Sequence, residues 1–176
     1  MGGVAMVFSG GGAPAAYFGA GVVRAVEEAG LRPRIFSGVS AGAVNAAALA
    51  VGMDAAALAA MWRGIRWSDV ARWRTDVYRL PKIENMLRGA PHLLDWALGS
   101  VGWTALLDSS PARTALRERL GGPELPVADG CTLVVSAVDV ATGEVLRFGS
   151  RPAPRAGSAI LPGPLTVEHL LASAAV

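Results

Sequence analysis

Residues 4–50, VAMVFSGGGAPAAYFGAGVVRAVEEAGLRPRIFSGVSAGAVNAAALA, contain two glycine-rich turns that decide the fold. Each turn follows a short apolar run and precedes a helical pattern, so the segment predicts strand, turn and helix twice over. The expected strands are 4–8 and 35–37, and the expected helices are 14–29 and 43–52. Two successive units of this kind imply parallel strands joined by right-handed crossovers, which is the α/β class.

The second turn, GVSAG, places Ser40 between Gly38 and Gly42, after a strand and before a helix. This pattern is typical of a nucleophile elbow, whose two glycines let the strand and the helix approach closely. A serine hydroxyl is a poor nucleophile until it is oriented and given a base, and the sharp turn does the orienting. The helix that starts after Ser40 adds a positive dipole end near the developing oxyanion. If one serine in the chain performs chemistry, we expect it to be Ser40.

The first turn, SGGGAPA, sets Gly10, Gly11 and Gly12 in a row. Backbone N–H groups there can point into a cavity with no side chain in the way. Because the preceding strands are expected to be parallel, both turns should lie at the carboxyl edge of one sheet, where active sites of open α/β sheets form. A triple-glycine turn beside an elbow serine is suited to acyl transfer.

A dinucleotide site is the competing interpretation of the first turn. Gly10-x-Gly12-x-x-Ala15 also fits the dinucleotide-binding template, since it follows a strand and opens a helix. That template needs an acidic residue at the end of the second strand, and residues 35–38 contain none. The sequence therefore disfavours dinucleotide binding.

Residues 54–120 are predicted to form a helical layer that begins after the capping residue Asp54. All five tryptophans of the chain fall in this span: Trp62, Trp67, Trp73, Trp96 and Trp103. Two interpretations stay open for their rings. They pack in the core beneath solvated arginines, or they line a rim at a lipid interface, where Trp and Arg both favour the headgroup zone.

The pattern returns to strands over residues 131–148. The apolar run 131–138 predicts a strand, and 144–148 is expected to pair with it as a hairpin. Residues 149–164, rich in Pro, Gly and Arg, are predicted to be an exposed loop. The last segment, 166–176, should be a helix capped by Thr166, with an apolar face made of Val167, Leu170, Leu171 and Ala174.

The order of these motifs resembles the patatin-like phospholipase family of serine lipid acyl hydrolases. The strand, SGGG turn, helix, strand and GVSAGAVNA helix follow the family's arrangement, and the Ser40 motif is its most specific part. Further along, LLDSSPARTALRERL, TLVVSAVDVATGEVLRF and LLASAAV are similar to later segments of such domains. The resemblance thus covers nearly all of the chain as a single patatin-like domain, 1–176.

The resemblance implies a parallel-majority sheet flanked by helices, with the elbow after the second strand. It implies a Ser-Asp dyad in which Ser40 attacks the carbonyl carbon of a lipid or other acyl ester. The oxyanion would be held by N–H groups of the glycine loop, residues 10–12 (Gly10, Gly11 and Gly12), and by that of Ala41. The resemblance calls for no cofactor and no metal.

Two departures from the family pattern bear on activity. The glycine loop continues Ala13-Pro14-Ala15, where the family usually has an arginine, so Pro14 brings neither a cation nor an N–H group. The family's aspartate stands in a turn after the last helix, so we expect it beyond residue 176 and the C-terminal part of the domain to be missing. Two aspartates within the chain are considered as substitute bases. Asp129 precedes its strand, so it is rejected as a base and expected in a solvated turn, while Asp139 is the candidate substitute if the chain ends at residue 176, although it is expected to cap the hairpin turn.

Two alternatives therefore stay open beside the dyad hydrolase. One is a non-catalytic patatin-like module or an inactive fragment, favoured by Pro14 and by the missing base. The other is a Ser-His-Asp esterase that uses His92 or His169, although both histidines are expected to be exposed on the surface.

Composition excludes several other classes. The chain has 176 residues, of which 52% are hydrophobic and 17% charged, with a net charge of +2, so it can build a core and is not disordered. The chain contains no basic run of the kind that would indicate nucleic-acid binding. Cys131 alone permits no disulfide framework. No signal peptide and no apolar run of membrane-spanning length is seen, so we expect a cytoplasmic protein with peripheral membrane contact left open. The oligomeric state is not indicated.

Overall fold

The computed structural model describes residues 4–73, 107–152 and 159–174. Its internal contacts divide the chain into two compact units. The first consists of Met1–Ile65 together with Arg113–Val176, and the second of Arg66–Ala112. The prediction of one domain over residues 1–176 stays a prediction.

The described elements, in chain order, alternate between strands and helices. They are β1 (Ala5–Phe8), α1 (Gly12–Glu28), β2 (Ile35–Val39), α2 (Ala41–Ala50), α3 (Ala55–Gly64), α4 (Trp67–Val70), β3 (Arg72–Trp73), β4 (Leu107–Asp108), α5 (Ser110–Leu120), β5 (Thr132–Val138), β6 (Val145–Gly149), β7 (Ile160–Pro162) and α6 (Val167–Ala174).

The first unit is built on a five-stranded sheet in the order β1-β2-β5-β6-β7. The pairs β1–β2, β2–β5 and β6–β7 are parallel, and only β5–β6 is antiparallel. The sequence prediction of a parallel-majority α/β sheet flanked by helices is confirmed, and so is the hairpin over 131–148.

The exposed loop predicted over residues 149–164 is wrong at β7, which extends the sheet beyond β6. Proline has no N–H to give to a strand neighbour, so a strand that contains Pro162 is tolerated at an edge. β7 occupies such an edge. A Pro- and Gly-rich composition is therefore compatible with a short edge strand such as β7.

The core lies on one face of the sheet. Met6, Phe8, Phe36, Leu133 and Val135 point to that face and are at most 9% exposed. Helix α2 packs across β1, β2 and β5, and α6 packs on β5 beside it. Within the described part of the chain, no helix is both long enough and apolar enough to span a bilayer.

Local signals place several helix ends where the sequence predicts them. Gly30 has φ +74° and ends α1, with Leu31 N–H donating to Val26 O at 3.1 Å, which is the pattern of a Schellman cap. Asp54 caps α3 by accepting the N–H of Ala57 at 2.7 Å. Helix α1 begins earlier than predicted, so Pro14 sits inside its first turn, where a missing N–H breaks no helical bond.

The second unit contains a small antiparallel pair, β3–β4, where the sequence predicted only helices. Arg72 Nε donates to Asp108 Oδ2 at 2.7 Å across the pair, and Asp108 also accepts the backbone N–H of Ser110 at the start of α5. The Ser110 N–H, followed by the Arg72 guanidinium, lowers the pKa of Asp108 to about 2. The pairing of Arg72 with Asp108 joins residues that are far apart in the sequence, so the helical pattern of the sequence could not predict it.

Candidate active site

Ser40 stands in a strained turn between β2 and α2. Its backbone has φ 56° and ψ −128°, and within the described ranges it is the only non-glycine residue with a positive φ. A side chain in such a region costs on the order of 1–3 kcal/mol and persists only where the surroundings enforce it. The GVSAG segment therefore forms a turn between a strand and a helix, as the sequence predicts.

The two glycines of this turn are required by close backbone approaches. A Cβ atom on Gly38 would overlap the carbonyl group of Gly42. A Cβ atom on Gly42 would lie 2.5 Å from the carbonyl oxygens of both Phe8 and Ser9. The start of α2 thus rests directly on the end of β1, and this contact joins the second turn to the first.

The glycine turn lies beside Ser40. A Cβ atom on Gly10 would be 3.2 Å from Ser40 Cβ, and Gly11 and Gly12 have φ values of 140° and 61°. Gly12 is the first residue of α1, and Gly11, its N-cap, offers no side chain to the free N–H groups. The structure therefore brings the two predicted turns together at the carboxyl ends of β1 and β2.

Two helices begin next to this contact, α1 at Gly12 and α2 at Ala41. The N–H groups of a first helical turn have no partner within their own helix, and the helix dipole adds partial positive charge there. Such a place favours an anion, including the oxyanion of a tetrahedral intermediate. Pro14 removes one donor from the first turn of α1.

The N–H of Ser40 itself is engaged. It donates to Ser173 Oγ at 2.8 Å, and Ser173 Oγ donates in turn to the carbonyl oxygen of Ser136 at 2.5 Å. Ser173 lies on α6 and is only 9% exposed. The prediction that Ala174 lies on the buried face of this helix is wrong, because Ala174 is exposed and Ser173 is buried.

Asn45 on α2 is fully buried and ties three helices together. Its Nδ2 donates to the Ala16 carbonyl of α1 at 3.2 Å, and its Oδ1 accepts the indole N–H of Trp62 at 2.6 Å. Gly19 leaves room for the amide, since a Cβ there would overlap Asn45 Nδ2. Trp62 is half-buried in this network, so the position of α1 relative to the elbow depends on a polar contact that the sequence analysis did not assign.

The two aspartates weighed as substitute bases have the structural roles predicted for them. Asp139 Oδ1 accepts the N–H groups of Ala141 and Thr142, at 2.8 and 3.3 Å, and so caps the hairpin turn. Asp129 is exposed, next to Gly130 with its φ of +79°.

His169 was expected to be exposed, which is wrong. Its ring lies 4.5 Å from that of Phe148, and its Nδ1 accepts the backbone N–H of Thr166 at 3.0 Å at the start of α6. Burial lowers its pKa, against a smaller opposite effect of the Glu168 charge. His169 is thus engaged in capping a helix, and His92 lies outside the described residues.

Comparison with known families settles the class of the chain. The family described as patatin-like phospholipase matches residues 6–176. The chain belongs to the patatin-like phospholipase family.

Two solved structures share the patatin-like fold. One is the type III effector protein ExoU, with a TM-score of 0.51 and 20% identity over 99% of this chain and 39% of that one. The other is full-length ExoU in complex with full-length SpcU from the type III secretion system of Pseudomonas aeruginosa, with a TM-score of 0.53 and 20% identity over 98% and 38%. The present chain thus spans about two-fifths of the length of the structures it matches. A search of curated protein sequences returned no match.

Proposed function

We propose that this chain supplies the nucleophile and the oxyanion site of a lipid acyl hydrolase, with Ser40 as the nucleophile. The observation that carries the proposal is the backbone of Ser40, which is held at φ 56° between a strand and a helix. A protein retains such strain where a functional geometry requires it. Membership of the patatin-like phospholipase family supports the class of reaction, lipid acyl hydrolysis, and the reaction and the residue assignments both belong to the proposal.

In the proposed reaction Ser40 Oγ attacks the carbonyl carbon of an acyl ester while a base removes the hydroxyl proton. The carbonyl oxygen becomes an oxyanion that accepts N–H groups of Gly11, Gly12 and Ala41, with Gly10 completing the turn. The tetrahedral intermediate collapses, the ester C–O bond breaks, and the leaving alkoxide takes the proton as an alcohol. Water then attacks the acyl carbon while the base removes a proton from the water. The bond from the acyl carbon to Ser40 Oγ breaks, the acid is released, and Ser40 regains its hydroxyl proton from the base.

We propose that the base is an aspartate located after residue 176 in the full-length protein, which makes a Ser-Asp dyad. The roles of the candidates within the described residues support this choice. Asp139 is used by the hairpin turn, Asp129 lies in an exposed turn, and His169 caps α6. In the Ser-His-Asp alternative, the base would be either His169, which would have to give up its capping bond to Thr166, or His92, which lies outside the described residues.

A fluorophosphonate probe tests the nucleophile in the full-length protein. We expect covalent labelling of the wild type at Ser40, no labelling of Ser40→Ala, and normal labelling of Ser9→Ala. Ser9 is the matched control because it is an exposed serine next to the glycine turn. Labelling of Ser40→Ala at the wild-type level would exclude Ser40 as the nucleophile.

The same assay separates the alternatives. A folded wild type that is never labelled, and that releases no fatty acid from phospholipid vesicles, would favour the non-catalytic module. Loss of labelling in His169→Ala with an unchanged melting temperature would favour the Ser-His-Asp esterase. Retention of labelling in that variant would exclude His169 as the base.

We propose further that the second unit contacts a lipid surface through Trp67 and Trp73. Each of these side chains is 62% exposed, which supports the lipid-rim interpretation over the core interpretation for these two rings. Co-sedimentation with anionic vesicles should decrease in Trp67→Ala and Trp73→Ala. Val140→Ser, which removes an apolar side chain that is 97% exposed on the hairpin turn, is the control. Unchanged binding of both tryptophan variants would exclude this surface.

A further inference from the structure

The hydroxyl of Ser173 bridges two neighbouring strands of the sheet at the elbow. Val39 and Ser136 form the last aligned pair of β2 and β5, so Ser40 lies where this parallel ladder opens. At that point Ser173 Oγ is hydrogen-bonded to the N–H of Ser40 and to the carbonyl of Ser136. A side chain from α6 thus fills the gap between the ends of β2 and β5.

The direction of both bonds is fixed by chemistry. A backbone amide only donates and a backbone carbonyl only accepts, so the hydroxyl must accept from Ser40 and donate to Ser136. Its single proton and one lone pair are therefore both used. The hydroxyl has no freedom to rotate without breaking one of two bonds in a site that is only 9% exposed.

We propose that Ser173 is a positioning residue that holds Ser40 in its reactive backbone conformation. The inference rests on the proposed role of Ser40 as the nucleophile. Ser40 pays a conformational cost for its positive φ, and something must hold the turn against relaxation. The bond from its own N–H to a buried side chain does so directly, at the residue that carries the strain.

A second consequence concerns which N–H groups can donate hydrogen bonds to the oxyanion. The N–H of Ser40 points to Ser173 and is not available to substrate. The donors must then come from the residue after the nucleophile, Ala41, and from the glycine turn. Ser173 thereby keeps the nucleophile's own amide out of the oxyanion site and leaves the Oγ atom alone to face the ester.

The connection also reaches across the fold. Ser173 is the residue through which α6, near the end of the described chain, is bonded to a turn that lies 133 positions earlier in the sequence. A displacement of α6 that breaks this bond would therefore alter the backbone of Ser40. The nucleophile thus depends on α6 through the Ser173 hydroxyl.

The test compares three variants of the full-length protein. Ser173→Ala removes both bonds, Ser173→Thr keeps the hydroxyl, and Val167→Ala shortens another buried side chain of the same helix that makes no side-chain bond to the elbow. Rates of fluorophosphonate labelling at Ser40 are measured over a range of probe concentrations, together with the fraction of protein that is finally labelled and the melting temperature.

We expect Ser173→Ala to lower the maximal labelling rate about 10- to 100-fold, because a misplaced reacting atom carries a cost of this size. The probe concentration at half-maximal rate and the final labelled fraction should stay unchanged, since substrate binding and folding are not the step affected. Ser173→Thr should recover most of the rate. Val167→Ala should lower the melting temperature but keep the wild-type labelling rate.

Misfolding alone would lower the labelled fraction and leave the rate of the folded molecules intact, and that result would overturn the proposal. So would equal slowing in the alanine and threonine variants, or equal slowing in Val167→Ala. If the wild type itself is not labelled at Ser40, the proposed function fails before Ser173 is tested. The two failures are thus distinguishable.

Discussion

The contact between Gly42 and the end of β1 offers a direct test of how the two turns are joined. In Gly42→Ala the new methyl carbon would lie 2.5 Å from two carbonyl oxygens, those of Phe8 and Ser9, and 2.7 Å from the Phe8 carbonyl carbon. All three atoms belong to the backbone, so no side chain can rotate away. Relief requires a movement of α2 away from β1 by several tenths of an ångström.

The expected cost follows from overpacking in a rigid interior, which is about 1–3 kcal/mol and sometimes more. For a chain of this size that lowers the melting temperature by roughly 2–4 °C per kcal/mol. The matched control is Gly21→Ala in the middle of α1, where a Cβ atom meets nothing within 4 Å. Alanine is the better helix former, so Gly21→Ala should be more stable than the wild type by about 0.5–1 kcal/mol.

The assay is thermal and urea unfolding of both variants, followed by fluorophosphonate labelling of the folded fraction. Gly42→Ala should unfold earlier and react more slowly, because the movement of α2 carries Ser40 and Ala41 with it. If Gly42→Ala matched the wild type in both measurements, the close approach of α2 to β1 would be refuted. If Gly21→Ala were destabilised as well, glycine replacement in general rather than this contact would explain the effect.

Three further predictions concern single residues. Ser40→Gly should be more stable than Ser40→Ala by about 1 kcal/mol in urea unfolding, reversing the usual order, because glycine adopts a positive φ without strain; the usual order would show that the turn is unstrained. Asn45→Ala should cost about 1–3 kcal/mol, since it leaves the indole N–H of the half-buried Trp62 without its acceptor, and an unchanged unfolding midpoint would contradict that network. Stability should fall as the pH drops below about 6.5, because the lowered pKa of His169 makes the unfolded chain bind its proton first and because a protonated Nδ1 no longer accepts the Thr166 N–H. This pH dependence should be smaller in His169→Gln, and an equal dependence in both proteins would exclude His169 as its source.

The elements with strong local determinants could be predicted from the sequence. Gly30 and Asp54 end or begin helices through bonds to their immediate neighbours, so their residue types alone indicate the boundary. The two turns were also found, because a glycine-rich segment between an apolar run and a helical pattern is informative by itself. Their meeting at Gly10 and Ser40 followed from one added inference, that the two strands are parallel neighbours.

The features that depend on distant partners were missed for a physical reason. β7 and the β3–β4 pair are short, and each exists because another strand is present to accept its hydrogen bonds. Ser173 belongs to the LLASAAV segment, but the sequence predicts no role for it, because its role depends on Ser40, which is far away in the sequence. A small polar residue on an otherwise apolar helix face is the signal that could have identified it. His169 escaped in the same way, through its packing on Phe148.

Helix α2 is buried on all sides: the nine residues from Gly42 to Ala50 are all buried, and Ala46, Ala47 and Ala48 have no exposed surface. A helix in this situation has no outer face on which substitutions can accumulate, and a side chain larger than the one already present at a position must displace backbone or core. The segment behind the nucleophile is therefore closed to gradual change. A change of substrate would therefore have to be accommodated on the exposed side of the site, for example at Pro14.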